Sequence, residues 1–77
     1  MQHAKGILKA YNFAIKVDAN EKKIKEELDY QFKILNFELA EGDKDAIPGS
    51  PSRIYSDAYR EGLQQILDII HRKKQEG

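Results

Sequence analysis

The polar positions between Lys5 and Val17 fall at Lys5, Lys9, Asn12 and Lys16, at spacings of four, three and four. On a helix that spacing makes one solvent stripe with apolar side chains around the rest. A strand explains only the second half of the segment. Tyr11, Phe13, Ile15 and Val17 alternate with polar or small residues, but adjacent Ile7 and Leu8 break the alternation. A helix is the expected form. An α+β fold with N-terminal strands is the alternative.

Asp18-Ala-Asn-Glu21 then reads as a capping box, with Asp18 accepting from the amide three residues on and Glu21 reaching back. A second helix is expected from about Ala19 to Glu41, closed by Gly42 as a left-handed cap. Its apolar positions make two sets. Ile24, Leu28, Phe32, Leu35 and Leu39 form the stripe expected to meet a core. Tyr30, Ile34 and Phe37 lie nearly opposite, and two aromatics and an isoleucine do not ordinarily face water together. A bulged pair of strands fits the alternation in 28–39, but the preceding EKKIKEEL strongly favours a helix.

Residues 42–52 combine Gly, Asp, Pro and Ser and read as a loop, with Ile47 expected to tuck back as an apolar plug. Ser50 followed by Pro51 is a favoured start for a third helix. It is expected to run to about Lys74, with Tyr55, Tyr59, Leu63, Ile66 and Ile70 on its apolar face and Ala58, Leu67 and Ile69 widening it. Gly62 falls inside this helix, where it costs about 1 kcal/mol relative to Ala. Beside Ala58 it predicts a shallow patch that another helix, or an aromatic such as Phe32 or Tyr30, can approach closely. The expected fold is all-α: one domain over 1–77, an antiparallel two-helix hairpin with a third N-terminal helix. That third helix would lie across the hairpin's groove or be exchanged with a neighbour.

Length sharpens the question of a partner. A core drawn from 77 residues supplies roughly 3–5 kcal/mol on its own. There are no cysteines to staple it, and His3 and His71 are too few and too distant for a structural metal. Association is the remaining common aid.

Thirteen basic and thirteen acidic residues cancel overall but not locally. Residues 1–17 carry three lysines and no acid, 18–45 nine acids against five bases, and 46–77 five bases against four acids. This segregation suits helix-to-helix charge matching and excludes a broadly nucleic-acid-binding composition. No apolar run has the length of a membrane span and no signal peptide opens the chain, so a cytoplasmic protein is expected.

Catalytic constellations are missing from the pattern, and no enzyme activity, cofactor or metal is expected. Asp43 and Asp45 resemble the start of a calcium loop, but the third ligand position falls on Ile47 and the closing Glu is absent. Glu26, Glu27 and Asp29 read as a solvated face, with Asp29 and Lys33 one helical turn apart.

Two places invite a ligand. At the third helix's start, Ser52, Arg53, Tyr55, Tyr59 and Arg60 are candidates for holding a phosphate, a nucleotide or another small anion. An ordinary cap with Arg–acid pairs, and tyrosines that close the edge of the core, is the favoured account of them. In an antiparallel hairpin, Lys22, Lys23 and Lys25 would join His71, Arg72, Lys73 and Lys74 at one pole, a candidate nucleic-acid contact. A helix-turn-helix is not expected, because the connecting loop is about ten residues long.

The function expected from these patterns is a non-enzymatic protein-protein interaction or assembly module. It would self-associate as a homo-oligomer, a dimer or higher, or bind a helical protein target. Tyr30, Ile34, Phe37, Tyr11 and Phe13 are the candidate interface. A small nucleic-acid-binding or regulatory protein using the basic pole is one alternative. A binder of a small phosphorylated ligand or nucleotide is the other.

Overall fold

A computed structural model describes residues 1–76 and shows an all-α fold. Helix α1 spans Gln2–Lys16, α2 Glu21–Glu41 and α3 Pro51–Glu76, with a short 3₁₀ turn at Lys44–Ala46. Helices α2 and α3 run antiparallel: the start of α2 meets the end of α3 through Glu21 and Lys74, and Phe32 meets Arg60. Helix α1 packs against this hairpin as the third helix and runs parallel to α3. Gly6 faces Ala58, and Ala10 faces Gly62. The fold class and the helical N-terminal segment are therefore as the sequence pattern predicts.

The closest approach is between α1 and α3, not across the groove of the hairpin. Gly6, Ala10 and Ala14 are the buried residues of α1, one per helical turn. They lie on the stripe of α3 that holds Ala58 and Gly62. A Cβ built on Gly62 would stand 2.6 Å from the Ala10 Cβ, and one on Gly6 the same distance from the Ala58 Cβ. Each glycine thus receives the other helix's alanine methyl. Gly62 has the packing role its position suggests, and its neighbour is α1, not an aromatic of α2.

The turn between α1 and α2 departs from the expected capping box. Asp18 and Ala19 both have φ of 54°, in the left-handed region, so neither opens the helix. The chain reverses sharply here and leaves Asn20 as the extended residue at the N-cap, its side chain accepting from the Lys23 amide at 3.0 Å. The other end is as expected. Gly42 is left-handed, and the amides of Gly42 and Asp43 bond back to the carbonyls of Leu39 and Glu38, a Schellman closure. Ser50 Oγ accepts from the Arg53 amide and caps α3, which continues past Lys74 to Glu76.

Within the loop, the Asp43 carboxylate accepts from the Asp45 amide and opens the 3₁₀ turn. Ala46 is buried, while Ile47 is 53 % exposed, contrary to the plug expected of it. The tight turn brings the small residue inward and swings the larger one out.

The core gathers Ala10, Ala14, Ile24, Leu28, Tyr59, Leu63 and Ile66, with Phe13, Val17, Leu67 and Ile70 packed around it. Of the five residues expected to face inward from α2, only Ile24 and Leu28 are buried. Leu35 is half-buried, and Phe32 and Leu39 are about half exposed. The core therefore sits toward the α1–α2 turn, where three helices meet. It thins toward the loop, where α2 has fewer neighbours.

Candidate functional site

The outer face of α2 follows a regular stripe: Lys23, Glu27, Tyr30, Ile34, Phe37 and Glu41, at alternating spacings of four and three. That alternation is the seam pattern of paired helices. Its middle is apolar and uncovered. Tyr30 is 58 % exposed and Phe37 66 %, with Ile34 half-buried between them. Helix α1 does not act as the lid this set would need, because its small-residue face is committed to α3.

Inward of the stripe, Glu27 turns back to the core. Its carboxylate accepts from the Tyr59 hydroxyl at 2.6 Å. Burial, then this bond, pushes the Tyr59 hydroxyl well above the usual phenol range. Lys9 of α1 lies over the rings of Tyr55 and Tyr59, 5.5 and 4.6 Å from their centroids. Lys9 therefore does not belong to a purely solvated stripe.

The other two residues of the expected interface lie elsewhere. Phe13 packs against the core and is half-buried. Tyr11 faces away from α2, in a shallow apolar groove of about 520 Å³ between α1 and α3, beside Ile15, Ile66 and Ile69. Tyr30, Ile34 and Phe37 are brought together on one face, and Tyr11 and Phe13 are not part of it.

At the start of α3 the arginines have partners. Asp57 accepts from Arg53 Nε at 2.8 Å and from Arg60, and Arg53 Nη1 donates to the Ala46 carbonyl at 2.7 Å. Arg60 is only 7 % exposed and stacks on the Phe32 ring with its guanidinium carbon 5.6 Å from the centroid. Ser52 is exposed, Tyr55 is half-buried, and Tyr59 is bound to Glu27. The cluster that resembles an anion site in sequence is a clamp holding the loop and α2 onto α3. Asp57 at its centre carries the negative charge an incoming anion would have to displace.

The basic pole does assemble. Lys22, Lys23 and Lys25 at the start of α2 lie at the same end as His71, Arg72, Lys73 and Lys74, and all seven are exposed. Glu21 sits among them, paired with Lys74 and 3.6 Å from His71 Nδ1. The Lys74 ammonium holds the Glu21 carboxyl below its usual range. At the opposite end of α2, Glu38, Glu41, Asp43 and Asp45 outnumber Lys44. Each end of α2 thus lies in a field of opposite sign.

Glu27, Asp57 and Gly6 organise the groups around the site. Asp57 and Gly6 are not among the candidates the sequence offers, and Glu27, expected on a solvated face with Glu26 and Asp29, is instead half-buried and bonded to Tyr59. Asp57 had a signal, since it stands four residues from Arg53 and three from Arg60. Glu27 had a weaker one: it shares the stripe of Tyr30 and Ile34.

Among the described residues, no cluster of His, Cys, Asp and Glu could hold a metal ion, and no helix is long and apolar enough to cross a membrane. No family model, curated protein or solved structure matches the chain.

Proposed function

We propose that this protein is a non-enzymatic interaction and assembly module that works by burying the outer face of α2 against another protein surface. The supporting observation is the exposure of Tyr30 and Phe37 on one stripe with Ile34. Aromatic side chains carry much of the energy in protein interfaces because they bury large areas at low entropic cost. The small core gives a second reason. A domain with few buried large side chains gains stability by covering apolar surface on association.

Tyr30→Lys and Phe37→Lys test this reading. Both side chains are exposed, so far-UV circular dichroism and the unfolding midpoint of dilute protein should stay within about 0.5 kcal/mol of the parent. Light scattering on the isolated chain and affinity capture from its native lysate should both lose whatever association the parent shows. If the variants associate as the parent does, α2 is not the docking face and the reading fails.

A further inference from the structure

We infer that the occupant of the α2 face is a second copy of this chain, lying antiparallel to the first. The inference rests on the interaction reading above and adds the partner and its orientation. The ends of the stripe carry the argument. Lys23 stands at one end, within the basic pole formed by α2 and α3, and Glu41 stands at the other, beside Glu38, Asp43 and Asp45. A parallel pair would set Lys23 against Lys23 and Glu41 against Glu41. An antiparallel pair sets each Lys23 against the partner's Glu41 and places Tyr30 across from the partner's Ile34, twice by symmetry.

The register follows from the spacing. Lys23 and Glu41 flank Tyr30 and Ile34 at equal distances of seven residues, so a two-fold axis midway between Tyr30 and Ile34 aligns both charge pairs at once. Glu27 would fall opposite the partner's Phe37. Its carboxylate is already turned inward to Tyr59, which leaves its methylenes to meet the ring and keeps its charge out of the seam. The helix is long enough for such a seam, since its 21 residues span about 31 Å. An isologous contact of this kind closes on itself and forms a dimer, not a fibre. The α1–α3 groove carries its opposite charges, Asp18 and Lys73, together at one end and not on either side of its apolar middle, and is not assigned an occupant.

Charge reversal separates this arrangement from its rivals. Lys23→Glu and Glu41→Lys, each made alone, should weaken the dimer roughly tenfold or more in sedimentation equilibrium, because each variant spoils both symmetric pairs. The double variant Lys23→Glu/Glu41→Lys should recover the parent affinity. The chain has no cysteine of its own, which allows a direct reading of orientation. Lys23→Cys/Glu41→Cys should oxidise to a covalent dimer, while Lys23→Cys alone should not. Cross-linking by Lys23→Cys alone would mean a parallel pair and would overturn the orientation. Single reversals that leave the affinity unchanged would also overturn it. A parent chain that stays monomeric while a Phe37-dependent foreign protein binds would remove the second copy and leave the interaction reading standing. Association insensitive to Phe37→Lys would remove both.

Discussion

Replacing Gly6 with alanine adds one methyl group at the tightest point of the fold. The new carbon would meet the Tyr55 carbonyl oxygen, the Ala58 Cβ at 2.6 Å and the Tyr59 amide nitrogen at 3.0 Å. Ordinary contacts of a Cβ lie at 3.4–4 Å, so α1 must retreat by about 1 Å along this stretch. Two of the three obstacles are backbone atoms of a helix and cannot turn aside. The substitution also gains about 1 kcal/mol of helix propensity, which must be set against an overpacking cost of about 1–3 kcal/mol. The backbone contacts put Gly6 at the upper end of that range, giving a net loss of about 1–2 kcal/mol. For a chain of this length each kcal/mol lowers the melting temperature by about 4–8 °C. Urea unfolding followed by far-UV circular dichroism, at one fixed protein concentration, measures the loss directly.

Gly62 supplies the control. Its added methyl would clash with a single methyl, that of Ala10, while Ile7 stands at an ordinary 3.5 Å. Gly62→Ala should therefore cost less than Gly6→Ala. The exchange Ala10→Gly/Gly62→Ala merely moves the methyl from one helix to the other, so the double variant should be more stable than the sum of the single effects implies, by about 1 kcal/mol. A Gly6→Ala protein that melts higher than the parent would refute the reasoning. Propensity would then be acting alone, and α1 and α3 would not be in this register.

Two further outcomes follow from local features. Ala19 holds a left-handed φ of 54°, a conformation that costs a non-glycine residue about 1–2 kcal/mol; Ala19→Gly should raise stability by about 0.5–1 kcal/mol after the added chain entropy is subtracted, whereas a loss in thermal melting would mean that the turn is not strained. The Glu21 carboxyl is held below its ordinary 4.5 by Lys74, burial opposing this, and then by the Lys74 and His71 charges. A depressed acid contributes stability that is full above the unfolded value and fades as pH falls through the folded one, so Glu21→Gln should leave a shallower acid limb below about pH 4.5, and an unchanged limb in a pH series of urea midpoints would show that the pair with Lys74 is not maintained in solution.

The helices were legible because their signals are local. The polar spacing of α1, the Gly42 cap and the Ser50-Pro51 start each depend on a few neighbouring residues, and the helix or helix end that each predicts is found in its place. The turn at Asp18 and Ala19 was not legible, because nothing about an Asp-Ala pair announces two consecutive left-handed residues. The extra turn makes Asn20 the cap instead of Asp18. The α1–α3 seam was half legible. Gly62 stood out as a glycine inside a helix, but Gly6 lies near the start of the chain and takes its meaning from Ala58, over fifty residues away. In the candidate site, the exposed set Tyr30, Ile34 and Phe37 came from periodicity alone, and periodicity reports which residues share a face. It does not report that Arg53 and Arg60 would both turn to Asp57, because that requires the placement of the loop carbonyl of Ala46 and the ring of Phe32.

The seam and the open face are connected. Two glycines and the alanines opposite them let α1 sink onto α3, and a helix seated that deeply stands low beside α2. Lys9 then lies across Tyr55 and Tyr59 instead of bringing an apolar side chain against Tyr30. A bulkier α1, standing off from α3, would leave a gap under itself but would carry Tyr11 no nearer to α2, since Tyr11 sits in the groove on the far side. Exposure of Tyr30 and Phe37 is therefore built into the packing of the other two helices and is not a looseness of α2. For this reason a substitution that shifts α1, such as Gly6→Ala, should weaken the fold without covering the α2 stripe. Stability and association are expected to respond separately to changes at the two seams.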